Sequence, residues 1–276
     1  MNNINNLLHE HGITEYGIID FEKLTVINPK LLPNTKVQSV IITLLPYRTG
    51  NTVAKDGYNM GLFARIKDYH AVFNRIADML IPKFKRLYGG DVFFFADHSP
   101  IFEKEAAAKC GLGFIGRNSL LINSKYGSFV FIGCFLFSEK LEERLFECEV
   151  NCGQCNRCIE ACPANAISKS LMCVNMCLSG ISQKKKKNED ELNILQQTKT
   201  VWGCDICQSV CPYNKNAALS TVYEFDSVAL ESISAEIIEQ MEETEYKQFA
   251  FSFRPKKVIA ENLLTANGKR DIIEKD

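Results

Sequence analysis

Between residues 62 and 81 the apolar side chains Phe63, Ile66, Phe73 and Leu80 recur at helical spacing, with His70 in the same stripe. This periodicity predicts a long helix over that stretch. A shorter helix is expected at 3–11, and strands at 37–45 and 92–95, so the first 140 residues read as a mixed α/β domain. From 230 to 274 the chain is polar with helical periodicity and predicts a few further helices. The longest apolar run, 129–137, covers nine positions, whereas a membrane-spanning helix needs about 20, so no span is predicted.

With 276 residues and 46% apolar content, the chain has enough material for two domains with their own cores. Its 32 Lys and Arg against 33 Asp and Glu exclude a globally basic nucleic-acid binder, so any RNA contact must come from local patches. The opening segment MNNINNLLHEHG lacks the basic start, apolar stretch and cleavage site of an export signal. A cytoplasmic, reducing location is therefore expected, where twelve cysteines serve as thiols or metal ligands. Cys110 and Cys134 stand alone, but the other ten lie between Cys148 and Cys211, which marks a module; Cys110, Cys134 and Cys148 read as ordinary small apolar residues.

Cys152-x2-Cys155-x2-Cys158-x3-Cys162-Pro163 has the spacing of a bacterial ferredoxin run, in which three thiolates hold one iron–sulfur cube and the fourth reaches to another. The same register returns at 201, 204, 207 and 211, followed by Pro212, but its first position is Val201. The first cube would take Cys152, Cys155, Cys158 and Cys211. The second would take Cys162, Cys204 and Cys207, leaving one vacancy for Cys177 or Cys173. Zinc ribbons use paired C-x2-C elements and have no need of an x3-Cys-Pro extension, here present twice.

Upstream, His70 on its apolar stripe reads from periodicity alone as a satisfied core histidine. Around it Arg65, Lys67, Arg75, Lys83, Lys85 and Arg86 make a locally basic stretch, either a solvated face or a phosphate-facing one. Ser99 and Pro100 are expected to start a helix that Gly111 closes after Cys110. Asp97, just before that start, is either a helix-start carboxylate or a carboxyl group at a strand end, where α/β domains place their sites. Gly111-x-Gly113-x-x-Gly116 matches a dinucleotide fingerprint by letter but follows a helix, so its glycines are read as points of close backbone approach.

The stretches FARIKDYH, FADHSPIFEKEAAAKCGLGFIGRNSLLI, KYGSF, CGQCNRCIEACPANAI and WGCDICQSVCPYN resemble, in order and spacing, the motifs of the epoxyqueuosine reductases; FSFRPKKVIAENLLTANG extends the likeness toward the C-terminus. The resemblance implies an α+β chain: a nitroreductase-like cobalamin-binding α/β domain at 1–145, a bacterial-ferredoxin-like domain with two [4Fe-4S] clusters at 146–220, and a C-terminal helical segment at 221–276. It also implies an oxidoreductase that converts epoxyqueuosine to queuosine in tRNA, working as a monomer with an external low-potential electron donor and no membrane. By position, Asp97 matches the family's proton donor. Arg65, Tyr69 and His70, with Gly113, Arg117, Asn118 and Ser119, match segments that line the corrinoid, and Cys177 matches the family's isolated cluster cysteine. The implied mechanism passes electrons singly to cobalt, which assists C–O cleavage while Asp97 supplies a proton.

The sequence also departs from the family. It stops where full-length members continue into a C-terminal helical-repeat domain that helps hold tRNA, so it reads as a short form. The run LSGISQKKKK after Cys177 is unlike the family's usual one, and its lysines are read as a solvated loop; His98 replaces a small residue. Two other functions are therefore weighed: a corrinoid iron–sulfur reductase acting on another, small substrate, and a cobalamin-free electron-transfer protein.

Overall fold

In the computed structural model, residues 2–50, 55–169 and 171–269 are described. The chain divides into two compact units, neither of them continuous in sequence. The first comprises Met1–Arg48, His70–Gly153 and Asn216–Val222; the second comprises Thr49–Tyr69, Gln154–Lys215 and Tyr223–Asp276. Of the three consecutive segments expected, 1–145 thus shares 49–69 with the second unit, which also takes most of 146–220 and 221–276.

In the first unit the apolar run ending at Phe137 becomes a central strand. Strands β1 (Glu15–Asp20), β2 (Ser39–Pro46), β3 (Val92–Ala96) and β4 (Val130–Phe137) form one sheet in the order β1-β2-β4-β3. All neighbours are antiparallel, with Ser39 opposite Phe137 and Phe137 opposite Val92. Side chains alternate across a strand, so the sheet has two apolar faces. Val40, Ile42, Leu44, Cys134 and Leu136 pack with Ala106, Ala107 and Cys110 of one helix. Phe94 and Phe135 turn the other way and meet each other at 4.8 Å between ring centroids; Phe73 of a second helix lies 5.4 Å from Phe94 and Phe84 5.2 Å from Phe135. The unit is therefore a helix–sheet–helix sandwich.

The helices are α1 (Asn2–His9), α2 (Tyr69–Tyr88) and α3 (Glu103–Lys109). Two of them correct the expectations. The helix placed at 62–81 begins at Tyr69, because Leu62–Ala64 is a 3-10 turn and Ile66 and Lys67 form β-bridges to Ala229 and Phe249. At its other end α2 runs through Pro82 to Tyr88; burial of Leu80 and Phe84 on either side offsets a proline cost of about 3 kcal/mol. The helix expected to start at Ser99 starts at Glu103. Ser99 instead turns its Oγ back to accept from Ile101 N at 3.3 Å. The close approach read into the glycines is present: a Cβ on Gly111 would lie 1.9 Å from Phe146 O, and one on Gly113 2.4 Å from Ile122 O.

The second unit is built from short elements: α4 (Arg157–Ala161), α5 (Leu178–Ser182), α6 (Glu189–Gln197), strand β5 (Thr200–Trp202) and α7 (Ile206–Ser209), followed by helices including Ala235–Gln240 and Lys256–Ala266. Part of the expected helical stretch, 270–274, lies outside the described residues. Strand β5 pairs in parallel with Asn59–Met60, and Trp202 is fully buried with Val201, Phe249, Phe251, Ile259 and Leu263. Asn262 donates to both Ser182 O and Val201 O at 2.7 Å, tying the last described helix to α5 and β5.

Under the loops of this unit lies a buried fork. Arg65 Nη1 and Nη2 donate to Asp56 Oδ2 and Oδ1 at 3.0 and 2.9 Å, and Nη1 also reaches Leu230 O at 3.2 Å. Burial alone would push the Asp56 carboxyl up, but Arg65 and the amides of Tyr58 and Ile233 hold it below its ordinary value. Breaking such a pair leaves an uncompensated buried charge. Asp56→Ala is expected to lower unfolding stability by about 3–5 kcal/mol, measured by urea denaturation. The apolar double replacement Asp56→Leu with Arg65→Met is expected to recover only part of the loss, because the amides of Tyr58 and Ile233 and the carbonyl of Leu230 still lose their partners; a double variant as stable as the wild type would show that the fork is dispensable.

Candidate functional site

The cysteine run opens on an Asx turn, Asn151 Oδ1 accepting from Gly153 N at 2.8 Å. In the second unit Cys158 lies in α4 and Cys162 caps its C-terminal end; Cys207 lies in α7, with Cys204 before it and Cys211 after it. The helices α4 and α7 pack on one another, so the two sequence repeats meet as structural repeats. The thiols of both runs are half-buried and none is in a disulfide. Two sulfurs already accept hydrogen bonds: Cys162 Sγ from Ala166 N at 3.4 Å and Cys204 Sγ from Asn59 Nδ2 at 3.3 Å. Thiolate donors with N–H groups aimed at sulfur are what an iron–sulfur cube requires, and hydrogen bonds to sulfur tune its potential.

Cys162, Cys177 and Cys204 all pack against one apolar cluster of Ala164, Ala166, Leu178, Ile181 and Leu195; among the described residues Cys173 is not part of it. Burial pushes the Cys204 thiol up, the Asn59 amide and Ile206 N–H oppose this, and Cys177 adds a Coulombic push as a neighbour. Val201, which stands where the repeat would carry a thiol, is fully buried in β5 as part of the Trp202 core. Cys110 and Cys134 are buried beneath the sheet of the first unit, where burial pushes the Cys110 thiol up to about 12 and the Cys134 thiol far above its usual value. Thiols held so firmly protonated are packing residues.

In the first unit Asp97 ends β3 with a left-handed backbone, φ 64°, and His98 N returns to Ala96 O at 2.8 Å. Its carboxylate is open to solvent, with 69% of the side chain exposed, and Oδ2 lies 3.7 Å from Nε2 of His70 in the first turn of α2. Because α3 begins only at Glu103, Asp97 is no helix cap. His70 is 44% exposed and stands at the rim of the helix stripe instead of in the core.

The other residues matched to the corrinoid segments sit in different settings. Tyr69 is half-buried at the start of α2. Gly113 precedes a small hairpin, Phe114–Ile115 with Leu121–Ile122, whose turn carries Arg117, Asn118 and Ser119. Arg117 Nη2 donates to Gly153 O at 2.8 Å, buried Asn118 accepts from Leu120 N at 3.4 Å, and Ser119 has φ 59°. Arg65 belongs to the second unit, where its guanidinium is committed to Asp56 and Leu230.

Sequence reasoning passed over Glu103 and Lys104. Lys104 Nζ donates to Ser119 O at 2.7 Å. The Glu103 carboxyl accepts from the Asp97 backbone N–H and the Ser99 hydroxyl, while its Oε1 is sealed from solvent with no partner. Burial first, and the Asp97 charge second, push it up to about 8. A helix N-terminus favours a carboxylate by only about 0.3–1 kcal/mol, too little to reverse this. No signal in one sequence separates such a residue from the ordinary acidic start of a helix.

Residues 151–214 match the family described as 4Fe-4S double cluster binding domain. An epoxyqueuosine reductase of Leadbetterella byssophila is 34% identical over 221 residues, covering 78% of this chain and 70% of the relative. The chain spans 55% and 62% of two other curated epoxyqueuosine reductases. The solved epoxyqueuosine reductase of Streptococcus thermophilus superposes with TM-score 0.81 at 23% identity, covering 99% of this chain and 83% of that one. A second solved epoxyqueuosine reductase, held with an epoxyqueuosine-modified tRNA-Tyr stem loop, gives TM-score 0.76 at 20% identity and covers 98% and 82%. Among the described residues no helix is long and apolar enough to cross a membrane.

The raised Glu103 carboxyl makes stability depend on pH. Folding favours its neutral form, so its contribution is complete below the unfolded value near 4.5 and is lost as pH rises through about 8. Urea midpoints of the wild type and Glu103→Gln, measured from pH 5 to 9, are expected to diverge with rising pH. The wild type should lose a few kcal/mol relative to the variant, since each tenfold difference in proton affinity between folded and unfolded states is worth about 1.4 kcal/mol. Parallel curves would refute a buried neutral carboxyl.

Proposed function

Since the chain belongs to the epoxyqueuosine reductase family, we propose that it reduces epoxyqueuosine in tRNA to queuosine, with electrons delivered through two [4Fe-4S] clusters to a bound corrinoid. The observation that carries this reading is the pairing of a complete cluster-binding segment with an exposed Asp97 held in a strained turn beside His70. Loss of the epoxide oxygen consumes two electrons and two protons, leaves a carbon–carbon double bond and releases water. Held by the cysteine segment, the clusters would supply electrons one at a time, and Asp97 Oδ2 is the atom that would protonate the departing oxygen. His70 Nε2, 3.7 Å away, is placed to return a proton to that carboxylate between turnovers.

The repeats and the packing support the following ligand sets. Cys152, Cys155, Cys158 and Cys211 hold one cube; Cys162, Cys177, Cys204 and Cys207 hold the other. The shared apolar cluster around Cys162, Cys177 and Cys204 supports the choice of Cys177. A nitroreductase-like corrinoid site in the first unit is supported by the open side chains of His70 and Asp97. Gly113, Arg117 and Ser119 are the further contacts we assign to it. Asn118 and Arg65 are turned inward and shape the neighbouring backbone without presenting their side chains to a ligand. The chemistry a corrinoid supplies there is reducing power from cobalt at the C–O bond. The tRNA and a low-potential electron donor are the partners.

Anaerobically reconstituted protein is expected to carry close to eight irons and eight sulfides. Cys177→Ala should lose about half of that iron and Cys173→Ala should keep it, by colorimetric iron assay and electron paramagnetic resonance; the reverse result exchanges their roles.

Asp97→Asn keeps shape and an acceptor oxygen but cannot deliver the proton. Turnover of epoxyqueuosine-tRNA, followed by mass spectrometry, should fall about 100-fold or more with iron content and cobalamin binding intact. Normal turnover would remove Asp97 from the mechanism, and cobalamin binding by a wild type that leaves tRNA unreduced would favour a small substrate.

A further inference from the structure

A non-glycine residue at φ 64°, such as Asp97, sits in a sparsely populated backbone region, and its side chain is mostly in water, so the turn needs support from beneath. The first turn of α3 supplies that support. Glu103 accepts the Asp97 N–H and the Ser99 hydroxyl, the latter also accepting from Ile101 N, so one carboxyl group gathers the backbone of the whole 97–101 turn. The neighbouring Lys104 ties Ser119 O of the hairpin turn to the same helix end. Helix α3 is itself fixed to the sheet through Ala106, Ala107 and Cys110.

We propose that Glu103 is the positioning residue of the proton donor: through the Asp97 N–H and the Ser99 hydroxyl it locks Asp97 into the left-handed turn that aims its carboxylate toward His70. The proposal rests on the reading that Asp97 delivers the proton, and assigns Glu103 no contact with substrate. Its carboxyl being held neutral fits the task. A second negative charge under Asp97 would act on the donor through low dielectric, whereas a neutral acid keeps an acceptor oxygen for the turn and leaves the charge state of Asp97 to its own surroundings.

The experiment compares wild type, Glu103→Ala, Glu103→Gln and Ser99→Ala as reconstituted full chains. Amide hydrogen–deuterium exchange of the peptide spanning 93–99 is read beside turnover of epoxyqueuosine-tRNA. In Glu103→Ala the Asp97 amide should exchange roughly tenfold faster while β2 and β4 stay protected, and kcat should fall roughly tenfold or more with KM for tRNA unchanged. Glu103→Gln, which keeps a carbonyl oxygen and no charge, should restore both to within about threefold of wild type. Ser99→Ala removes one donor and should give an intermediate result, which keeps the test available if the Glu103→Ala chain does not fold. Unchanged exchange at Asp97 in Glu103→Ala and Ser99→Ala would overturn the proposal, as would a Glu103→Gln chain as impaired as Glu103→Ala. A wild type without turnover would fail the proposed function alone, since the exchange readout still tests the anchor.

Discussion

The buried fork between Arg65 and Asp56 is the constraint on which the second unit depends. Helices of four or five residues, such as α4, α5 and α7, are too short to hold themselves in water. They stand because their flanks are pinned. Asp56 takes the amides of Tyr58 and Ile233 as well as the Arg65 fork, and Arg65 adds the carbonyl of Leu230, so segments more than 160 positions apart in sequence close on one ion pair. From there the strand Asn59–Met60 pairs with β5, and Leu62 N donates to Asp205 Oδ2 at 2.7 Å, immediately beside Cys204. A protein that must present thiolates from loops thus anchors those loops with charge and a tryptophan core, each supplying what helix propensity does not.

The first unit solves a different problem with a different device. Its sheet is apolar on both faces and covered by a helix on each, which makes the end of β3 a rigid platform. On that platform Asp97 is exposed, and exposure alone would leave it loosely placed. The structure puts the polar support inside instead, in the first turn of α3, where Glu103 meets the Asp97 amide and Lys104 meets Ser119. Both left-handed non-glycine residues of this face, Asp97 and Ser119, are therefore held through consecutive residues of a single helix turn.

Most of the cysteine segment was legible in the sequence, because thiol spacing encodes ligand geometry directly and needs no knowledge of distant contacts. Two strands were legible too, those expected at 37–45 and 92–95 lying at Ser39–Pro46 and Val92–Ala96, since alternation and apolar runs are local properties; β1, β4 and β5 carried no such expectation. What the sequence concealed were effects of partners far along the chain. The stretch at 62–68 carries helical periodicity, yet Ile66 and Lys67 pair with Ala229 and Phe249, and tertiary pairing overrides the local preference. Arg65 looked like a ligand-facing cation in a basic run until Asp56, across residues of no recognisable pattern, claimed it. Glu103 looked like any acidic residue at a helix start, and only burial distinguishes it.

Val201 shows how one substitution in a repeat is absorbed by the fold. A thiolate at 201 would have to leave β5 and point toward a cluster, whereas the residue there is fully buried between Trp202 and the helix Lys256–Ala266, with its carbonyl taken by Asn262. A valine fits that strand and that core, and β-branching suits both. Cys177 stands at the N-cap of α5, where the helix it starts packs Leu178 and Ile181 into the same apolar cluster that Cys162 and Cys204 touch. The irregularity of the second repeat thus has a packing cause: position 201 belongs to the strand that secures the Trp202 core, while the isolated Cys177 shares the apolar cluster that Cys162 and Cys204 touch.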